Sequence, residues 1–246
     1  METIRSASAT KFVLPRPSGL PVSAMTTAKT EILGRIRATL GPRGDTRAEE
    51  YAAIPRRYKQ ASALDAAARL DLFLSRIQHY DGGVFRCDRA SIRETIAGAL
   101  SARGKRRIIV PSGFPRERLP DGVEFVTDDH LRYEDLDRSD GALTACSVAI
   151  AWTGTIALHH APSEGRRALT LVPDYHLCLV DADQIVETVP EAMRRLRTLN
   201  PSLVTTISGP SATADIEMTR IKGVHGPRTL DVILIDSDFS TTSFGL

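Results

Sequence analysis

The residues best equipped for chemistry lie between Ile207 and Glu217, in the run ISGPSATADIE. An apolar, β-branched stretch from Leu203 delivers the chain to Gly209-Pro210, and Ser208, Ser211 and Thr213 bring hydroxyls and amide donors to the same place. Glycine reaches backbone conformations closed to other residues. If a helical turn starts near Ser211, its free N–H groups point out of the carboxyl edge of a sheet, an arrangement suited to phosphate or carboxylate. Asp215 and Glu217 follow, and they either cap that turn, pair with Arg220 or Lys222, or contact a substrate. A plain Gly-Pro turn whose serines satisfy their own backbone fits the same composition.

A second candidate is Thr153-Gly154-Thr155, which interrupts two apolar half-strands in AIAWTGTIALHH. A bulge or tight turn there presents two hydroxyls and open amides, although a hairpin turn needs the same residues. Two such loops at strand ends suggest one shared pocket. Among the histidines, His159 and His160 are adjacent, so on a strand they face opposite sides. No HxxxH or HExxH spacing marks a metal site. His225, in GVHGP, has open surroundings and joins Asp215 and Glu217 as a candidate for proton transfer. The basic loop IPRRYKQ, with Arg56, Arg57 and Lys59, is either an anion clamp or a solvated charge cluster. There is no P-loop, no GxGxxG after a strand and no GxSxG elbow, which argues against nucleotide hydrolysis, standard dehydrogenase chemistry and the α/β-hydrolase mechanism.

The 246-residue chain is long enough to bury a core, and 42% hydrophobic with 25% charged residues is a globular balance. A formal net charge of +2 gives no electrostatic reason to expect nucleic acid. No apolar run approaches the roughly 20 residues of a membrane span. Cys87, Cys146 and Cys178 form no CxxC pair, and three cysteines fall short of the four that an iron–sulfur cluster takes. Residues 1–25 read as a disordered leader, with Met25 as an alternative start, because Pro15, Pro17 and Pro21 interrupt any amphipathic helix. The expected compartment is the cytoplasm.

The elements that must position these residues follow from periodicity. TTAKTEILGRIRATLG and ALDAAARLDLFLSRIQHY carry apolar residues at helical spacing, and residues 26–80 form an N-terminal helical portion. From 81 to 246 the pattern predicts an α/β domain. GVFRC is a strand, DRASIRETIAGALSARG a helix with Asp88 as N-cap, and RRIIVPSG and GVEFVTDD are strands. ALTACSVAIAWTGTIALHHAP and RALTLVPDYHLCLVD each read as bent pairs of strands, which implies antiparallel character within a mostly parallel sheet. ADQIVETVPEAMRRLRTLNP reads as a helix broken near its start by Pro190, and SLVTTISG and TLDVILID are strands.

Together AIAWTGTIAL, RALTLVPDYHLCLVDADQIV and TISGPSATADIEMTRIKGVHGPRTLDVILID resemble the LUD-domain family, more narrowly its lactate utilization protein C branch. The resemblance spans roughly residues 85 to 236. It implies a fold like that of the ribose-phosphate isomerase, glucosamine-phosphate deaminase and CoA-transferase superfamily, with ligands at strand ends beside glycine-rich loops. It also implies a part in oxidising L-lactate to pyruvate beside separately encoded iron–sulfur subunits, so that this chain binds no cofactor alone. One departure stands out: where the family is expected to read A-E-T-G-T-I, this chain has Ala151-Trp152-Thr153-Gly154-Thr155-Ile156. An aromatic surface replaces a carboxylate, and any acid/base work done there in relatives is missing here.

The expectation is a non-redox subunit that holds a small carboxylate or phosphate-bearing ligand. Thr153, Gly154, Thr155, Ser208, Gly209, Ser211 and Thr213 are the ligand-binding residues, with Asp215, Glu217 and His225 as catalytic candidates and no metal. Two rivals are a stand-alone isomerase or acyl/CoA transferase-like enzyme, and a non-catalytic metabolite-binding scaffold.

Overall fold

The computed structural model describes residues 22–41, 47–213, 221–222 and 226–236. It divides into two compact units, one ending at Arg57 and the other beginning at Tyr58. The first holds helices α1 (Val22–Leu40) and α2 (Arg47–Ala53). Along α1 the apolar stripe Ile32, Leu33, Ile36 and Leu40 is exposed. Among the described residues no helix is long and apolar enough to cross a membrane.

The second unit runs α3 (Ala66–His79), β1 (Gly83–Cys87), α4 (Ile92–Ala102), β2 (Arg107–Pro111), β3 (Glu124–Asp128), α5 (Tyr133–Asp137), β4 (Gly141–Thr144), β5 (Val148–Ile150), β6 (Thr155–Leu158), β7 (Tyr175–Asp181), β8 (Ile185–Val186), α6 (Val189–Thr198), β9 (Thr205–Ile207), β10 (Ala212–Thr213), β11 (Ile221–Lys222) and β12 (Thr229–Ile235). Six strands form one sheet in the order β1-β12-β7-β4-β2-β3, with every neighbouring pair parallel. A parallel sheet covered on both faces needs strands apolar on both sides. β12 shows how: Leu230, Val232 and Leu234 pack with α3, while Ile233 and Ile235 pack with α4.

The α/β class is as expected, but the antiparallel character lies elsewhere. It belongs to a separate sheet, β8-β5-β6-β9, in which β6 is antiparallel to β5 and to β9. The chain leaves the parallel sheet after Thr144 and begins β5 at Val148. One face of this second sheet packs on α3 and the parallel sheet through Ala149, Ile156 and Leu158; α6 covers the other through Ala192 and Leu196.

Three local expectations are corrected. RALT is a 3-10 turn rather than a strand, because the Arg167 side chain donates to the Thr170 carbonyl at 2.9 Å and closes the segment on itself. Asp88 does not cap α4: it accepts from the amide and hydroxyl of Ser91 at 2.8 and 2.6 Å, and the helix starts after that turn. Pro190 breaks nothing, since it sits in the first turn of α6, where no amide partner is lost. The helix starts there because Thr188 and Glu191 form a capping box, and the preceding Ile185-Val186 pairs with β5 instead.

Candidate functional site

Both glycine turns back onto the end of one helix. Gly154, at φ +59°, turns the chain between β5 and β6, and a Cβ there would lie 2.6 Å from the Arg76 Cβ and 2.9 Å from the Arg76 carbonyl carbon. Gly209, at φ +80°, would bring a Cβ to 2.5 Å from the Cβ of Tyr80. Arg76 and Tyr80 are one turn apart at the end of α3, so glycine lets each loop seat against the same helix. The pairing of Ile156 with Ile207 then sets Thr155 opposite Ser208. Thr155 Oγ1 lies 2.7 Å from Thr153 Oγ1 and 2.8 Å from Ser208 Oγ, a continuous hydroxyl chain. Thr153, Gly154, Thr155, Ser208 and Gly209 are therefore brought together.

Their surroundings differ from expectation in two ways. The segment after Ser211 is a strand, not a helical turn: Ala212 and Thr213 pair antiparallel with Lys222 and Ile221. The Ser211 amide, cast above as a free anion donor, is given to the Pro227 carbonyl at 2.8 Å. Moreover β9 belongs to the second sheet, so the turn does not leave the carboxyl edge of the parallel sheet. Thr213 is described by its backbone alone, and Asp215, Glu217 and His225 lie outside the described residues.

What the turn does meet is a cavity of about 270 Å³. Its walls include Ser208, Gly209 and Ser211 from the predicted set, together with Arg167, Thr170 and His176, which sequence reasoning passed over. Thr153, Gly154 and Thr155 do not line it. The hydroxyl of Thr155 supports the Ser208 wall from behind.

His176 and Leu230 are second residues of paired strands, side by side on the face that also carries Cys178 and Val232. The imidazole is buried and its Nε2 lies 2.8 Å from the Thr144 hydroxyl. Burial, aided by the nearby Arg167 guanidinium, holds its pKa down to about 4, so the ring is neutral at pH 7. The cavity thus offers one permanent cation, Arg167, a neutral ring and several hydroxyls, with no carboxylate among its described lining residues. That combination is chemically suited to a small monoanion with further hydrogen-bonding oxygens. The alternation of YHLCLVD was the one available cue to His176, because it sets histidine on the same face as core residues. Arg167 had no cue once its segment was taken as a strand.

The departure at Trp152 has its own setting. Trp152 is exposed, its amide donates to the Glu187 carbonyl at 3.0 Å, and Lys59 Nζ stands 5.1 Å from the centre of its ring. The Glu187 carboxylate is wholly buried and accepts from Lys59, from the Ser62 hydroxyl at 2.8 Å, and from the Ala63 and Leu64 amides at 2.7 and 2.8 Å. These donors, Lys59 foremost, hold its pKa down to about 2. Lys59 of the basic loop is therefore committed to a carboxylate of its own chain, and Arg56 donates to the Tyr51 and Ile54 carbonyls. Glu187 was missed because its partners lie more than 120 residues away and no local pattern announces them.

A further polar cluster closes the carboxyl ends of β2 and β4. Pro162 and Ser163 accept from the Gly113 and Ala145 amides at 3.1 and 3.0 Å, so the turn around them lies across both strand ends. It carries buried Glu164, which accepts from the Ser147 hydroxyl and from the His159 amide at 2.7 Å, while Ser147 Oγ also meets His159 Nδ1. The adjacent His160 turns the other way, to the Gly165 carbonyl and the Thr205 hydroxyl. Among the described residues no group of three His, Cys, Asp or Glu is placed to hold a metal ion.

Known proteins share this arrangement of segments. The LUD domain pattern matches residues 117–235. A protein of Deinococcus radiodurans called lactate utilization protein C is 42% identical over 214 residues, covering 85% of this chain and 95% of its own length. Another of that name, from Anoxybacillus flavithermus, is 28% identical and covers 59% of this chain and 70% of itself. Among solved structures, a crystal structure of a DUF162 family protein from Deinococcus radiodurans superposes with a TM-score of 0.61 at 38% identity, over 70% of this chain and 99% of that one. On the strength of this match in sequence and fold, the chain belongs to the LUD-domain family, in its lactate utilization protein C branch.

Proposed function

We propose that this chain serves in L-lactate utilization as a non-redox subunit that binds a small carboxylate in the cavity beside Ser208–Ser211. The observation that carries this reading is the single Arg167 guanidinium in a cavity whose other described polar groups are neutral. A carboxylate with a 2-hydroxyl or 2-keto oxygen meets there a cation for its charge and hydroxyls for its second oxygen. The lactate utilization relatives supply the substrate class. Oxidation itself falls to iron–sulfur partner subunits, a division supported by the three cysteines, which lie buried and unlinked in the core. Asp215, Glu217 and His225 follow the cavity wall in sequence and are the first candidates for proton transfer.

The test is thermal unfolding of the purified chain with L-lactate or pyruvate. Ligand at one hundred times its Kd adds about 2.7 kcal/mol by mass action. An upward shift that Arg167→Met abolishes supports the proposal. No shift at millimolar ligand, or an equal shift in Arg167→Met, overturns it. Purification of the native protein with its associates, followed by iron analysis, tests the partner subunits separately.

A further inference from the structure

A further pair of cavities lies at the other end of the parallel sheet, on the α4 face. Two cavities of about 280 and 290 Å³ adjoin there, and Arg93, from the first turn of α4, lines both. They differ in chemistry. The first has apolar walls from Phe114, Leu119 and Phe125, with Ser112, Thr127 and Arg116 also in its lining. The second is lined chiefly by charge: Arg89, Arg93 and Arg118 face Glu117.

The arginines are only loosely engaged. Arg93 meets Asp121 at 2.8 Å, but that carboxylate is fully exposed and free to swing into water. Arg89 and Arg118 share one carboxylate, Asp181, at 3.3 and 3.8 Å, the long end of ion-pair contact. The Arg116 side chain has no hydrogen-bond or ion-pair partner among the described residues. Four guanidinium groups thus line two neighbouring cavities, both bordered by Arg93, that contribute only Glu117 and Asp121 in return. Guanidinium forks match carboxylate or phosphate oxygens two at a time, and several guanidinium groups together suit the higher charge and greater oxygen count of a phosphorylated group.

We propose that these two cavities, on either side of Arg93, together bind a phosphorylated ring compound of the nucleoside diphosphate class. The phosphates lie among Arg89, Arg93 and Arg118, and the ring occupies the cavity walled by Phe114, Leu119 and Phe125. Ser112 and Thr127 hydrogen-bond the ring edges. The position agrees with the general rule that ligands of open parallel sheets sit beyond the carboxyl ends of the strands. It leaves the small-carboxylate cavity, which borders the amino-terminal part of β7 and β12, for a different ligand.

The experiment is calorimetric titration of the full chain with ADP, pyrophosphate and adenosine at fixed ionic strength. ADP is expected to bind more tightly than pyrophosphate, and adenosine more weakly than both. Arg93→Ala, at a half-buried helix position whose loss is checked by an unchanged Tm, should weaken ADP at least tenfold. Arg228→Ala, which breaks the distant ion pair with Asp174, should leave ADP binding as it was. No heat with millimolar ADP overturns the site, as does an equal loss in both variants, which marks diffuse charge attraction. Pyrophosphate binding as tight as ADP overturns the assignment of the apolar cavity. Lactate or pyruvate binding is read separately by thermal unfolding, so each proposal fails on its own measurement.

Discussion

Thr153-Gly154-Thr155 and Ser208-Gly209-Pro210-Ser211 are built from nearly the same materials and rest on the same helix, yet only the second lines the cavity beside Arg167. Each needs a glycine at positive φ, and each meets α3 at closer than van der Waals distance for any larger residue. The difference lies beyond the turn. Thr153 and Thr155 spend their hydroxyls on each other, and Trp152 beside them is tied to Glu187 through its amide. After Ser208 the chain leaves β9 and bends to Pro227, which opens a cavity towards Arg167 and His176. The small-polar-glycine pattern therefore specifies a backbone, and neighbours distant in sequence decide whether that backbone becomes a wall or a site.

The largest effects come from the glycines. Gly154→Ala puts a Cβ against the Arg76 backbone at positive φ, and strain plus overpacking should cost about 2–5 kcal/mol. Gly209→Ala, against Tyr80, should cost a similar amount. Urea unfolding measures both. The contrast appears in the ligand response: Gly154→Ala keeps the shift with L-lactate at a temperature where it is folded, while Gly209→Ala loses it. A retained response in Gly209→Ala would remove the distinction between the turns.

Each turn also has a titrating neighbour with a different pH window. His176 borders the cavity, and its folded pKa of about 4 lies below the unfolded value of 6.5. Its unfolded form binds the proton more readily, so stability is lost as pH falls from about 6.5 to 4, by about 3 kcal/mol. Glu187 stands behind the first turn, with a folded pKa of about 2 against 4.5. Its contribution is complete above pH 4.5 and disappears as pH falls towards 2. Denaturant midpoints taken from pH 7 to 3 should show the His176 loss first, and His176→Asn should flatten the upper window while leaving the lower one. A single loss confined below pH 4.5 would show that the cavity histidine is not held neutral by burial.

Much of this was legible in the sequence and the remainder has a physical reason. The strands β1, β2, β3 and β12 follow from β-branched runs between breakers, and local pattern is enough for them. Both glycine turns were legible as turns that end apolar strands, but the single shared pocket expected of them is not what forms: only the Ser208–Ser211 turn lines the cavity. The turn at RALT was not: its conformation depends on where one arginine side chain hydrogen-bonds. Neither was the second sheet, since parallel and antiparallel partners are chosen by tertiary packing that strand periodicity does not encode. Arg167, His176 and Glu187 were missed together because a site assembled from remote segments leaves no spacing to read.

The smallest effect tests the link between the turns. Thr155 Oγ1 is the only group that touches both Thr153 Oγ1 and Ser208 Oγ among the described hydrogen bonds. Thr155→Val keeps the shape and removes the bridge. Thr155 is buried, so its loss should cost about 1 kcal/mol, and the exposed Ser208 is free to turn its hydroxyl to water. Ser208→Ala alone should cost less, because Ser208 is exposed to solvent. If the bridge couples the turns, the double variant Thr155→Val/Ser208→Ala falls short of the sum by about 0.5 kcal/mol or more. The same coupling should appear in the lactate shift, which Thr155→Val diminishes without touching the cavity. Strict additivity in both measurements would mean that the two turns only share a helix, and that the wall at Ser208 stands without its support.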